Sequence, residues 1–142
     1  MFEGIINGLF HALEGWNLLL IIFGTFLGIV FGSMPGLTAT MGLALLVPFT
    51  FGMEPAAGLI MLAGIYVGAM YADAIPAILI NTPGTPAAIA TTFDGFPLAQ
   101  KGKAQQALVT AAFASFIGSV IANIVLATLA EPLAELSLKF GP

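Results

Sequence analysis

Two proline-glycine pairs with polar neighbours are the residues of this 142-residue chain that could bind an ion or a polar ligand. Pro35–Gly36 is followed by Thr38 and Thr40, and Pro83–Gly84 lies among side chains that offer neutral hydrogen bonds. The neighbours of the second pair are Asn81, Thr82 and Thr85. Proline removes a backbone donor and glycine permits unusual dihedral angles, so each pair frees backbone groups from a helix. Freed carbonyls coordinate Na⁺ or accept protons, and the N-terminus of the next helix favours an anion.

Apolar segments of about membrane length surround both pairs. They run over 16–32, 56–80 and 104–130, near the roughly 20 residues that a bilayer needs. Glu131–Pro132 is expected to end the last of them. A shorter apolar stretch, 41–53, contains Pro48 and predicts a half-helix or a re-entrant element. Non-helical backbone at membrane depth is tolerated only where it is buried or lines water. A proline-glycine pair is also a common surface turn, but two pairs with similar neighbours favour a polar site.

The composition is that of a membrane protein. The chain is 59% hydrophobic and 7% charged with a mean hydropathy of +1.07, whereas soluble domains carry about 25% charged residues. The sequence therefore predicts an all-α, polytopic membrane protein in lipid, with proline-glycine-broken helices that are discontinuous or re-entrant. The net charge of −4 excludes nucleic-acid binding, and the absence of cysteine excludes disulfides and zinc-thiolate sites.

Two regions are predicted along the chain. Residues 1–15 predict an amphipathic helix at the membrane interface, because their apolar side chains recur at helical spacing. Residues 16–142 form the transmembrane domain. Lys101 and Lys103 are the clustered cations and place their loop in the cytoplasm by the positive-inside rule.

Two aspartates and a threonine are candidates for an ion site. Asp73 lies in an apolar segment, where a charge is expensive and usually faces a cavity or a partner. We expect either an ion or proton site there, or an interfacial aspartate at a helix end near Pro76. Asp94 belongs to Asp94–Gly95, a common turn dipeptide in a polar loop, and either caps a helix or binds an ion. Thr40 completes the candidate ion-coupling set.

Small residues recur every four positions in the apolar segments, as in Gly24, Gly28 and Gly32. A second series runs from Ala107 to Ala127 through Ser115, Ser119 and Asn123. Both predict close packing of helices within the chain, and substrate lining by the polar members of the second series is the alternative.

Two stretches resemble a known family. GTFLGIVFGSMPGLTATMGLALLVPFTF and YVGAMYADAIPAILINTPGTPAAIATTFDGFPLAQKGKAQQAL are similar to the large permease subunit of the tripartite tricarboxylate transporters, the TctA family. The resemblance runs from about Gly24 to the C-terminus and corresponds to the N-terminal part of a much longer subunit. It implies a multi-pass protein of the bacterial inner membrane that is not an enzyme. The implied activity is uptake of citrate-like tricarboxylates or related carboxylates by symport with Na⁺ or H⁺.

The resemblance also implies partners and site residues. The family works with a small membrane subunit and a periplasmic solute-binding protein, and its large subunit has two related halves in an inverted-repeat arrangement. One repeat alone leaves the site incomplete, so we expect the remaining half or a second copy as a partner. No cofactor is expected beyond Na⁺. The substrate-binding residues carried over by position are Pro35, Gly36, Leu37, Thr38, Asn81, Thr82, Pro83, Gly84, Thr85 and Pro86.

The chain departs from the family pattern at two positions. Asp73 stands where the family usually has small residues, and Thr38 stands where it commonly has glycine. The departure at Asp73 bears on the coupling ion or the substrate range.

Two other functional classes are open at this point. One is a non-transporting membrane scaffold or a truncated assembly partner of such a transporter. The other, more remote, is an intramembrane aspartyl hydrolase in which Asp73 and Asp94 share a proton and activate water. No Arg or Lys lies within an apolar segment, so a carboxylate substrate would need helix dipoles, amides, hydroxyls and a co-bound cation, which favours symport.

Overall fold

The structure is a computed structural model that describes residues 2–138. Most of these residues are helical. Met1 and residues 139–142, which belong to the predicted 1–15 and 16–142 regions, lie outside the described residues. The helices are α1 (Phe2–Ala12), α2 (Gly15–Gly32), α3 (Ala39–Thr50), α4 (Pro55–Ala72), α5 (Ala74–Ile80), α6 (Pro86–Leu98) and α7 (Ala104–Leu138). A π turn, Ala99–Lys103, joins α6 to α7. The predicted all-α class is confirmed.

Three stretches are long and apolar enough to cross a membrane: Gly15–Gly32, Pro55–Ile80 and Pro86–Ala130. The predicted breaks in the helices are present, because α2 and α3 are separated at the first proline-glycine pair and α5 and α6 at the second. With 12 residues, α3 extends about 18 Å, which is well short of a hydrocarbon core of about 30 Å. It is the short helix that the stretch around Pro48 predicts.

Helices α2 and α4 pack backbone against backbone. Gly24, Gly28 and Gly32 are buried, and a Cβ on any of them would collide with a main-chain oxygen of α4. The three oxygens belong to Met61, Ile65 and Ala69, which have the same four-residue spacing. From the other side, Gly64 and Gly68 of α4 face the α2 backbone near Thr25. The small-residue series on α2 is therefore a packing surface, as the sequence predicts.

A first apolar core forms around this contact. Leu20 of α2 is buried against Met61 and Ile65 of α4. Leu43 and Leu46 of α3 pack on the same cluster, so α3 folds back along α4 after the first break.

A second core joins α5 to α6 and α7. Ala74 and Ile78 of α5 are buried with Ala107 of α7, and Leu98 at the end of α6 packs beside them. Gly102 allows this corner, because its φ of 76° interrupts the helical path and lies in the region that favours glycine. The small-residue series of α7 thus packs within the chain at Ala107 and nearby Ala111, whereas Ser119 and Asn123 are exposed among the described residues.

Two sequence predictions about helix ends are wrong. Asp94–Gly95 is not a turn but part of α6, because Thr85 caps that helix, Pro86 starts it, and alanines with high helix propensity follow. Glu131–Pro132 does not end the last helix either. Helix α7 continues through Pro132 to Leu138, since one proline removes a single backbone donor and is tolerated in apolar helices.

Replacing Gly28 with alanine should destabilise the α2–α4 contact. The new methyl group would overlap the main-chain oxygen of Ile65, and we expect the free energy of unfolding to fall by about 1–3 kcal/mol. Reversible unfolding of the chain in mixed micelles measures this loss. The matched control is Gly118→Ala in α7, where nothing lies within 4 Å of the added methyl group. Equal stability of G28A and G118A would contradict the packing described.

Candidate functional site

The first helix break occupies residues 33–38. Helix α2 ends as the Ser33 N–H bonds to the Ile29 oxygen, and Leu37 N–H then closes a turn onto the Met34 oxygen at 3.1 Å. Gly36 has φ 89°, which the tightness of this turn requires and most residues avoid. Thr38 begins α3, because its hydroxyl oxygen accepts a hydrogen bond from Met41 N–H at 3.3 Å.

The second break occupies residues 81–85. Asn81 ends α5 by adopting the left-handed conformation, with φ 56°, that asparagine tolerates better than most residues. Thr82 N–H donates to the Pro76 oxygen at 3.2 Å and so satisfies one terminal carbonyl of the short helix. Thr85 begins α6, since its hydroxyl oxygen accepts from Ala88 N–H at 3.4 Å. Pro86 occupies the first turn, where its missing N–H costs nothing.

Both breaks therefore end in the same way. A threonine, Thr38 or Thr85, caps the helix that follows its proline-glycine pair. The first N–H groups of a helix lack intrahelical partners and carry partial positive charge. Each break thus presents a helix N-terminus to whatever lies beside it.

Asp73 is the buried charge beside the second break. It lies between α4 and α5, is 3% exposed, and accepts hydrogen bonds on both carboxylate oxygens. Gly84 N–H donates to Oδ1 at 2.7 Å, and the Thr85 hydroxyl donates to Oδ2 at 2.5 Å. The sequence predicts that Asp73 faces a cavity, ion or partner; its partner in the structure is the loop of the second break. Sequence reasoning missed this pairing. Asp73 and Gly84 are 11 positions apart, and no periodicity of the sequence links them.

The two breaks adjoin at Gly84. A Cβ on Gly84 would lie 2.8 Å from Asp73 Oδ1 and 3.4 Å from the Leu37 oxygen. The Asp73 carboxylate and the backbone of the first break therefore both lie close to the α-carbon of Gly84. The structure brings Leu37 of the first break next to Gly84 of the second break and to Asp73.

Asp94 lies elsewhere, in the wall of a groove of about 400 Å³ that is lined by α5, α6 and α7 and by Met70 of α4. Its polar lining also includes Thr91, Thr110 and Ser115, and its apolar lining includes Met70 and Ile78. Asp94 is exposed, and neither Asp73 nor any residue of the two breaks lines this groove. The third candidate, Thr40, follows the first break in the opening turn of α3 and is exposed.

An aspartyl hydrolase needs two carboxylates close enough to share a proton. Asp73 instead contacts Gly84 and Thr85, while Asp94 lies in the wall of a groove that Asp73 does not line. In the part of the chain that the structure describes, no group of three or more His, Asp or Glu side chains can hold a metal ion. The geometry therefore offers a backbone-lined site at two helix breaks rather than an acid dyad.

Comparison with known proteins identifies the family. The model of the "Tripartite tricarboxylate transporter TctA family" matches residues 18–142. The chain belongs to the TctA family. A protein of Agrobacterium vitis, described as an uncharacterized 52.8 kDa protein in TAR-I ttuC' 3'region, is 45% identical over 130 residues. The match covers 92% of this chain and 26% of that relative, so the chain spans about a quarter of the relative's length. No solved structure matches the chain at a significant level.

Membership in the TctA family confirms the resemblance of the two sequence stretches. The family is named for the tripartite tricarboxylate transporters. With three apolar stretches of membrane-spanning length, the chain is a membrane protein of a transporter family, which agrees with the expectation that it is not an enzyme.

Substituting Gly84 should force the two breaks apart. In Gly84→Ala the methyl group would crowd Asp73 Oδ1 and the Leu37 oxygen, and we expect the free energy of unfolding to fall by about 1–3 kcal/mol. The same unfolding measurement in mixed micelles serves here. The control is Gly52→Ala, a loop glycine with nothing within 4 Å. If G84A unfolds like G52A, the close approach at Gly84 is refuted.

Proposed function

We propose that this TctA-family chain forms part of a permease that takes up citrate-like tricarboxylates or related carboxylates. It does so in the bacterial inner membrane, by symport with Na⁺ or H⁺, with a small membrane subunit and a periplasmic solute-binding protein. The observation that carries the proposal is the meeting of two helix breaks at Gly84, each followed by a threonine-capped helix N-terminus. Broken helices that present their N-termini to an anionic group are a recurrent transporter device.

The substrate anion is proposed to bind at the two breaks, closer to α3 than to α6. At α6, Asp73 already accepts from Gly84 N–H and the Thr85 hydroxyl, so a second carboxylate there would be repelled. At the start of α3, no acidic side chain of the described residues accepts a hydrogen bond from the first-turn N–H groups or from the hydroxyls of Thr38 and Thr40. The proposed binding residues remain Pro35, Gly36, Leu37, Thr38, Asn81, Thr82, Pro83, Gly84, Thr85 and Pro86.

A co-transported cation is proposed to offset the substrate charge. Lys101 and Lys103 lie in the exposed π turn, and the helices around the breaks carry no Lys or Arg. A tricarboxylate that meets only dipoles and hydroxyls keeps most of its negative charge uncompensated, so a bound cation lowers the cost of transfer. Asp73, Thr40 and Asp94 are the proposed ion-coupling candidates.

The site is proposed to be completed by the remaining half of the permease or by a second copy. The relative is about four times as long as the matched segment. The most apolar part of the helical stretch 86–130 has no buried residue. Exposed apolar side chains along α7, such as Phe113, Phe116 and Ile124, would be covered by lipid or by those further helices. The exposed Leu9 and Phe10 of α1 support an interfacial position for that helix against lipid.

Removing one hydroxyl from the first break should weaken substrate binding. In Thr38→Val the side chain keeps its shape but loses a hydrogen bond, which to a charged partner is worth about 1.5–3 kcal/mol, so we expect the KM for citrate to rise about tenfold or more. Uptake of labelled citrate by proteoliposomes holding the chain, the other membrane subunits and the binding protein measures this. Thr128→Val, on exposed α7, is the matched control and should leave uptake unchanged. Equal KM values for T38V and T128V would place the substrate elsewhere.

The same proteoliposomes test symport. Uptake should stop either when Na⁺ is removed or when the proton gradient is collapsed, because the substrate charge then has no compensating ion. Uptake that survives both treatments contradicts cation coupling. A complete assembly that takes up neither citrate nor a dicarboxylate would instead favour a non-transporting scaffold.

A further inference from the structure

We propose that Asp73 is a positioning residue that holds the second break against the first, and that it does not bind the coupling ion. The effect of Asp73 on transport rests on the proposed function, whereas its effect on the structure of the second break does not. The assignment leaves Thr40 and Asp94 as the ion-coupling candidates.

Both oxygens of the Asp73 carboxylate are used by the loop. Oδ1 accepts from Gly84 N–H and Oδ2 accepts from the Thr85 hydroxyl, at 2.7 and 2.5 Å. The Thr85 hydroxyl oxygen in turn accepts from Ala88 N–H, so one side chain connects Asp73 to the first turn of α6. Hydrogen bonds to a carboxylate are about twice as strong as neutral ones. Asp73 therefore holds both the glycine of the break and the start of the helix that follows.

The backbone of Asp73 is held in place by α4, which packs closely against α2. The main-chain N–H of Asp73 donates to the Ala69 oxygen at 3.1 Å, and the main-chain oxygen of Asp73 accepts from Ala77 N–H at 3.4 Å. The backbone at Asp73 therefore continues the helical path between α4 and α5. Ala69 lies at the glycine contact, where its main-chain oxygen meets Gly32 of α2. The orientation of the carboxylate is thus determined by the most tightly packed part of the chain.

The space around the carboxylate also favours a positioning role. Asp73 is almost completely buried, and Gly84 approaches it so closely that a single added methyl group would lie 2.8 Å from Oδ1. The same methyl group would lie 3.4 Å from the Leu37 oxygen of the first break. Each carboxylate oxygen accepts a hydrogen bond from one loop donor, so a cation at Asp73 would have to share these oxygens with Gly84 N–H and the Thr85 hydroxyl.

Amide hydrogen exchange on the full chain in nanodiscs tests the loop directly. In Asp73→Asn the amide oxygen can still accept from Gly84 N–H and the amide nitrogen can donate to the Thr85 oxygen, so exchange of residues 84–88 should stay within about twofold of the unmodified chain. In Asp73→Ala both bonds are lost and exchange there should rise about tenfold or more. Asp94→Ala, which removes an exposed acid, is the matched control and should leave the loop unchanged.

Three results would overturn the assignment. They are unchanged exchange in D73A, equally fast exchange in D73N and D73A, or an equal acceleration in D94A. If D73A does not fold, Thr85→Val and Thr85→Ser decide instead. T85V should speed exchange at the start of α6 several-fold, because it loses the bonds to Asp73 and Ala88, and T85S should restore protection. Equal exchange in T85V and T85S would overturn the assignment.

Citrate uptake separates positioning from ion binding. D73N should keep the cation dependence of the unmodified transporter, with a KM for the ion within about twofold, because the loop stays in place. D73A should lower the maximal rate while the same ion still drives uptake. Loss of the ion dependence in D73N would overturn the assignment. Absence of citrate uptake in the unmodified assembly would refute the proposed function, and the exchange measurement would still decide the role of Asp73.

Discussion

Where an apolar helix breaks, its freed N–H and C=O groups need hydrogen-bond partners, and lipid cannot supply them. The candidate site depends on the partners that this chain provides. Thr38 and Thr85 each accept an N–H of the following helix. Asn81 turns the chain so that the terminal Pro76 oxygen is satisfied. Asp73 accepts the freed Gly84 N–H and so places a formal charge where the second loop needs an acceptor. These backbone groups of the breaks are therefore partnered, and the loops can lie next to each other among apolar helices.

The partnered loops need a fixed frame, and the contact between α2 and α4 provides it. Glycines on both helices remove the side chains that would separate the backbones, and the Leu20, Met61 and Ile65 core closes around them. Close packing of this kind substitutes in lipid for the hydrophobic effect that joins helices in water. Because Asp73 extends directly from α4, the frame determines where its carboxylate points. Helix packing, the buried acid and the loop of the second break thus form one continuous arrangement.

Features set by neighbouring residues could be predicted from the sequence, and features set by distant contacts could not. The breaks at Pro35–Gly36 and Pro83–Gly84, the packing role of Gly24 and Gly28, and the all-α class follow from local chemistry. The pairing of Asp73 with Gly84 depends on how α5 folds back on the loop, and no periodicity encodes it. The turn predicted at Asp94–Gly95 was wrong because the cap at Thr85 starts a helix that carries through that dipeptide. The end predicted at Pro132 was wrong because a missing donor does not by itself stop an apolar helix.

If the two breaks form one substrate site, a bound substrate should protect both of them from amide exchange. Amide exchange would be followed in the chain within its transporter assembly, with and without saturating citrate. We expect citrate to slow exchange of both 33–41 and 81–88 and to leave the loop between α3 and α4, residues 51–54, unaffected. Protection of only one break, or of neither, would contradict a single site formed by both.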